Sequence, residues 1–170
     1  MIACFDAHYD DDSAIAAAIV IHRWEDEITV DQFTVNVADV GDYRPGSFYE
    51  RELKPLHELL PLISCPVRYF VIDAYCHLSD DGSPGLGAYL HELLPDDSVV
   101  IGVAKNRFRD TRHAVELFRG NSNRPLFITS IGIDYQSAAD HVKSMAGEHR
   151  IPTILKTVDR LARNGERTKR

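Results

Sequence analysis

The chain has 170 residues, 44% hydrophobic and 26% charged, a globular composition that excludes wholesale disorder and allows one core without a disulfide or metal staple. No apolar run approaches the roughly 18 residues of a membrane span, and the start lacks a basic leader, so a cytoplasmic protein with no membrane partner is expected. The net charge of −7 hides a split: residues 1–104 carry 19 acidic and 5 basic side chains, a net of −14, whereas residues 105–170 carry 7 and 14, a net of +7.

Residues 1–9 are short and apolar and predict a strand, followed by a turn at Asp10, Asp11, Asp12 and Ser13. Residues 14–24 are alanine-rich enough for a helix. The short turn before them and the acidic turn after them favour a second strand instead. Residues 28–40 alternate as a third, completing an antiparallel meander. Residues 41–46 form a loop, and residues 47–60 carry Phe48, Leu53, Leu56 and Leu60 at helical spacing behind a Ser47 N-cap. Pro55 inside that run predicts a kink or a split. Residues 67–74 are a buried strand, and a loop at 82–87 leads to a helix ending near Leu94. Residues 98–104 are another strand. The basic stretch 105–124 is irregular, with a short helix expected near residues 113–118. A strand at 126–133 and amphipathic helices at 137–146 and 154–162 complete one domain over residues 1–162, with 163–170 a flexible tail. This order predicts an α/β protein: a mixed sheet, with a three-stranded antiparallel meander plus parallel strands, flanked by helices in the ribonuclease H-like arrangement.

Two aspartates stand out. Asp6 lies in the middle of one apolar strand and Asp73 at the end of another, where an ionised carboxylate is costly unless paired or metal-bound. In the predicted topology their strands are neighbours, and Glu52, on the intervening helix, reaches the same point. Carboxylates sharing one place repel, and a hard divalent cation relieves the repulsion, which suits Mg²⁺ with Mn²⁺ as a substitute. Strand-end caps and salt bridges are the structural alternative for the same residues.

The segments around these residues resemble the endonuclease V family. FDAHYDDDSAIAAAIVI resembles its first hairpin, YRPGSFYERE its wedge and catalytic glutamate, VIDAYCHLSDDGSPGLGAYL its second aspartate strand and glycine loop, and IGVAKNRF its lysine motif; RPLFITSIG and RIPTILKTVDRLAR are similar to its closing segments. The resemblance implies a ribonuclease H-like nuclease that cuts DNA or RNA near inosine with Mg²⁺, leaving a 3′-hydroxyl and a 5′-phosphate. It implies Asp6, Glu52 and Asp73 as metal ligands and catalytic residues, Lys105 beside the scissile phosphate, and Tyr43, Arg44, Pro45 and Gly46 as a wedge replacing an extruded base. Gly85 and Gly87, in the glycine loop, and Arg107, beside the lysine, fall with the substrate. Three departures accompany it. The histidine expected after a glycine in the last strand is missing, leaving Asp134 as the nearest oxygen ligand, with an N-cap its alternative role. His8, on Asp6's face, is another substitute. Ala74, Tyr75, Cys76 and His77 replace the small residues of the base pocket, with Tyr75 narrowing it. The sequence also opens directly on the Asp6 strand, without the family's N-terminal helix.

The remaining candidates are weaker. Asp10, Asp11 and Asp12 read as a solvated turn, Cys4 and Cys76 as core, and His91 and His113 as surface. Arg107, Arg109, Arg112, Arg119 and Arg124 form either a phosphate track or ordinary surface charge. The expected partner is nucleic acid, and a monomer is favoured. A nucleic-acid-binding homologue without turnover, or a nuclease with another substrate, are the alternatives to an inosine-directed nuclease.

Overall fold

In strand β1 (Ile2–Tyr9) the side chains alternate between two apolar layers: Ile2 and Cys4 pack on one face of the sheet, Ala3 and Phe5 on the other. Burial on both faces is what a central strand requires. The computed structural model describes residues 1–10, 12–38, 40, 48–109 and 111–165. β2 (Ser13–Ile21) and β3 (Asp31–Ala38) complete the antiparallel meander. Ala16, Ala17 and Ala18 are fully buried in β2. Their helix propensity yields to a position between two layers, where a small side chain fits.

α1 (Phe48–Leu59) leads through a 3₁₀ turn at Leu60–Leu62 to β4 (Tyr69–Ile72), which lies parallel to β1. After α2 (Leu86–His91) comes β5 (Val99–Ala104), parallel to β4. β6 (Val115–Leu117) and β7 (Leu126–Ile131) pair antiparallel with each other, and β7 pairs antiparallel with β5. α3 (Tyr135–Ser144) and α4 (Thr153–Asn164) close the fold. The sheet order is β3-β2-β1-β4-β5-β7-β6. Leu56 and Leu59 of α1 and Leu90 of α2 cover one face. Ala138, Ala139 and Val142 of α3 and Ile154, Val158 and Ala162 of α4 cover the other. The α/β mixed sheet with flanking helices is therefore as the sequence predicts.

Three details differ. The helix expected near residues 113–118 is strand β6, because Val115 and Leu117 alternate with Glu116 and turn inward against the α3–α4 layer. Pro55 does not divide α1, which runs across it as one element; the ring removes only the bond that residue 55 would donate to the carbonyl of residue 51. α4 extends to Asn164, past the predicted end at residue 162. The wedge residues Tyr43, Arg44, Pro45 and Gly46, the Ser47 cap and residues 166–170 of the tail lie outside the described residues. No described helix is long and apolar enough to cross a membrane.

Candidate active site

Three adjacent parallel strands deliver the predicted residues to one edge of the sheet. Phe5 pairs with Ile72 and Ile72 with Gly102, so Asp6 and Asp73 stand level on neighbouring strands, and Lys105 follows the end of β5. This is the carboxyl end of the parallel strands, where α/β sheets place their sites. Alternation along β1 turns Asp6 to the same face as Ile2 and Cys4, the α4 side. Glu52 comes from α1, on the opposite side. Asp6, Glu52 and Asp73 nevertheless line one cavity of about 230 Å³, walled by Phe5, Tyr9, Leu56, Ile72 and Leu86. The Tyr9 hydroxyl donates to the Glu52 carbonyl at 3.3 Å and so ties α1 to β1 at this point. A small adjoining pocket joins Asp6 and Asp73 to Lys105, Val103, Ile151, Leu155 and Val158.

The electrostatics are those of a crowded acid cluster. Burial pushes the Asp6 carboxyl up to about 7, helped by the charge of Asp73 and opposed by a hydrogen bond from the Ala7 N–H and by Lys105. That N–H lies 2.8 Å from the Asp6 oxygen. Burial also pushes Glu52 up to about 7, again helped by Asp73. Lys105 forms an ion pair with Asp73. Burial alone would lower its pKa, but Asp73 and then Asp6 raise it above the ordinary lysine value.

Among the described residues, no three His, Cys, Asp or Glu side chains are gathered closely enough to ligate one ion as they stand, and Asp73 is held by Lys105. The donor set itself fits a hard divalent cation: three carboxylates around one cavity, two of them pushed up to about 7 by burial and then by the charge of Asp73.

Two residues at this edge were not anticipated. Asp159 of α4 interacts with Asp6. Its carboxyl is held below the ordinary range first by Arg163, with contributions from Lys105 and Asp6; Arg163 donates to it through two nitrogens, at 3.0 and 3.1 Å. Asp159 is one helical turn beyond Leu155, which lines the pocket, a relation that becomes visible only once α4 is docked. Arg150 is the other: it donates to the main-chain carbonyl of Lys105.

Asp134 is not part of this site. β7 runs antiparallel to β5, pairing Phe127 with Ala104 and Ile131 with Val100, so its far end, and Asp134 beyond it, lie at the opposite edge of the sheet from Lys105. There Asp134 caps α3, accepting from the Ser137 N–H at 2.9 Å and the Ser137 hydroxyl at 2.6 Å. His8 faces the same side of β1 as Asp6, opposite Ile15 in β2, and lines neither pocket.

The residues expected at the substrate are tied into the framework. The Tyr75 hydroxyl donates to the Asn106 carbonyl at 3.0 Å and accepts from the Phe108 N–H at 3.3 Å, while its ring packs with Ala104, Ala114 and Phe127. It thereby pins the segment carrying Lys105. The Gly85 and Gly87 N–H groups donate to the carbonyls of Cys76 and Tyr75 at 2.8 and 3.0 Å. A Cβ on Gly85 would lie 2.4 Å from the Tyr75 oxygen, and one on Gly87 would lie 2.6 Å from Cys76 Sγ. Both glycines therefore let the loop close on the chain after Asp73. Gly102, in the IGVAK segment, does the same from β5: its open position admits the Ala74 carbonyl, and the neighbouring Thr129 hydroxyl accepts from the Cys76 N–H at 2.8 Å.

Arg107 pairs with Glu116, donates to the Thr111 carbonyl at 2.6 Å and covers the Phe127 ring at 4.9 Å. Arg119 is buried and donates to the carbonyls of Met145, Gly147 and His149, so it leaves the predicted basic track. A larger cleft of about 660 Å³, lined by residues including Leu78, Asp81, Phe108 and Arg109, contains none of the three carboxylates. The titratable groups with raised carboxyl values converge instead in the smaller cavity.

No protein-family model matches this chain, and no curated protein sequence matches it. Its structure is similar to that of endonuclease V from Streptomyces avermitilis, with a TM-score of 0.76 and 26% identity over 96% of this chain and 80% of that one. Human endonuclease V gives 0.79 and 20% identity, over 96% and 83%. Endonuclease V from Ciona intestinalis, in complex with a 24mer DNA containing an inosine followed by a ribo-adenosine, gives 0.78 and 18% identity, over 96% and 84%. The chain therefore has an endonuclease V-like, ribonuclease H-like fold carried by a divergent sequence.

Proposed function

We propose that this protein is a divalent-metal-dependent endonuclease that hydrolyses a phosphodiester of DNA or RNA, with inosine-containing strands the first substrates to test. The observation that carries the reading is the convergence of Asp6, Glu52 and Asp73 on one cavity with Lys105 at its edge. Those three carboxylates, with Asp159 beside Asp6, are the residues that would hold Mg²⁺ or Mn²⁺. A divalent ion bound there supplies Lewis-acid polarisation of a phosphoryl oxygen and a more acidic water. Lys105 is the cation placed to hold a non-bridging phosphate oxygen as negative charge grows on it. Tyr75 and Arg150 keep that lysine's backbone in register with Asp73. In this reading Tyr43, Arg44, Pro45 and Gly46 serve as the wedge that replaces an extruded base.

The test is cleavage of end-labelled single- and double-stranded oligonucleotides, DNA and RNA, with and without one inosine, in Mg²⁺ and Mn²⁺. Wild-type protein is expected to leave 3′-hydroxyl and 5′-phosphate ends, and Glu52→Gln and Asp73→Asn to lose the activity by about two orders of magnitude or more. Equal residual cutting by all three proteins overturns the reading. The Asp73–Lys105 pair favours one alternative, a nucleic-acid-binding protein without turnover, which predicts salt-sensitive binding and no metal-dependent cut on any strand.

A further inference from the structure

Two arginines grip the chain that leaves β5, and among the described residues neither forms an ion pair. Arg150, just before α4, donates through Nη2 to the carbonyls of Lys105 and Pro125, the latter at 2.7 Å. Arg124, in the loop before β7, donates through Nη2 to Asn106 Oδ1 at 3.3 Å. Arg150 Nε is buried and, among the described residues, has no hydrogen-bond partner. The two cations sense each other, since Arg150 is held below its ordinary value first by burial and then by the charge of Arg124, which the charge of Asp73 opposes without reversing. Ile151, the next residue, lines the pocket that contains Lys105 and Asp73. Adjacent guanidiniums whose visible acceptors are all neutral are short of an anion, and their planar forks match the paired oxygens of a phosphate.

We propose that Arg124 and Arg150 form a phosphate seat that takes a backbone phosphodiester of the bound nucleic acid next to the one at Lys105. The inference rests on the nucleic-acid reading above and adds the residues that fix where the strand runs. It also redraws the basic track: Arg107 and Arg119 are committed to Glu116 and to carbonyls, and Arg150 replaces them.

The experiment is fluorescence anisotropy of a labelled oligonucleotide across a salt series, in Ca²⁺ and in EDTA, with cleavage in Mg²⁺ and Mn²⁺ scored separately. Arg124→Gln is the main variant, because Arg124 is exposed and, among the described residues, its side chain makes one hydrogen bond. Its affinity is expected to fall about fivefold to tenfold, and the slope of log K against log salt to shrink by about 1. Arg124→Lys is expected to retain the slope. Arg68→Gln, at the other edge of the sheet, removes the same charge and is expected to leave the slope at its wild-type value. An unchanged slope in Arg124→Gln overturns the seat, even if the wild type cuts; so does an equal loss in Arg68→Gln. A reduced slope confined to Arg124→Gln supports the seat, and if the wild type then cuts no strand, the nuclease reading alone is overturned.

Discussion

Asp6→Asn separates the electrostatic role of this residue from its place in the core. In the metal-free protein the Asp6 carboxyl is raised from 3.8 to about 7, mainly by burial and then by Asp73. The folded state therefore binds this proton more tightly than the unfolded chain does. The resulting stability is fully present below about pH 4, declines as pH rises, and is gone once pH passes about 7. A shift of about three units at ~1.4 kcal/mol each corresponds to about 4 kcal/mol. Asparagine resembles the protonated form and keeps an oxygen for the Ala7 N–H. Asp6→Asn should therefore match the wild type in urea unfolding near pH 4 and exceed it by about 2–4 kcal/mol at pH 8 in EDTA. Mg²⁺ at pH 8 should narrow the gap by stabilising only the wild type. Equal destabilisation of the variant at both pH values would refute the reasoning, because Asp6 would then be a packing residue and not a buried, under-neutralised charge.

Arg119→Met leaves the carbonyls of Met145, Gly147 and His149 without their shared donor. It should cost about 3–5 kcal/mol in urea unfolding, and a loss below about 1 kcal/mol would show that water replaces the guanidinium. Gly87→Ala puts a methyl 2.6 Å from Cys76 Sγ and 3.0 Å from Cys76 Cα. Overpacking of that kind should cost about 1–3 kcal/mol and lower the melting temperature. An unchanged melting temperature would mean that the loop after Asp73 yields freely.

The meander, the parallel pair and the helical layers were legible because each strand is bounded by turn residues and each helix carries its apolar stripe. Ala16, Ala17 and Ala18 show why position matters more than propensity: those small side chains are buried between two layers. β6 was misread as helix because three residues carry too little periodicity to separate the two. Asp6, Glu52 and Asp73 could be found because an acid in an apolar strand is conspicuous. Asp159 was not, because one acid on an amphipathic helix resembles solvent-facing charge until the helix is docked. Asp134 misled for the converse reason: its proximity to a strand end is visible in sequence, but the direction of that strand is not. The roles of Arg107 and Arg119 depend on carbonyls and a carboxylate that only tertiary structure supplies.

Glu52 belongs to the helical layer on one side of the sheet, whereas Asp6 faces the layer on the other, where Asp159 resides. A chain with a single layer docked holds an incomplete acid set, so a nascent or partly melted molecule lacks the constellation that the native one possesses. Such an arrangement makes the assembled acid set a property of the finished fold, present only once both helical layers have docked.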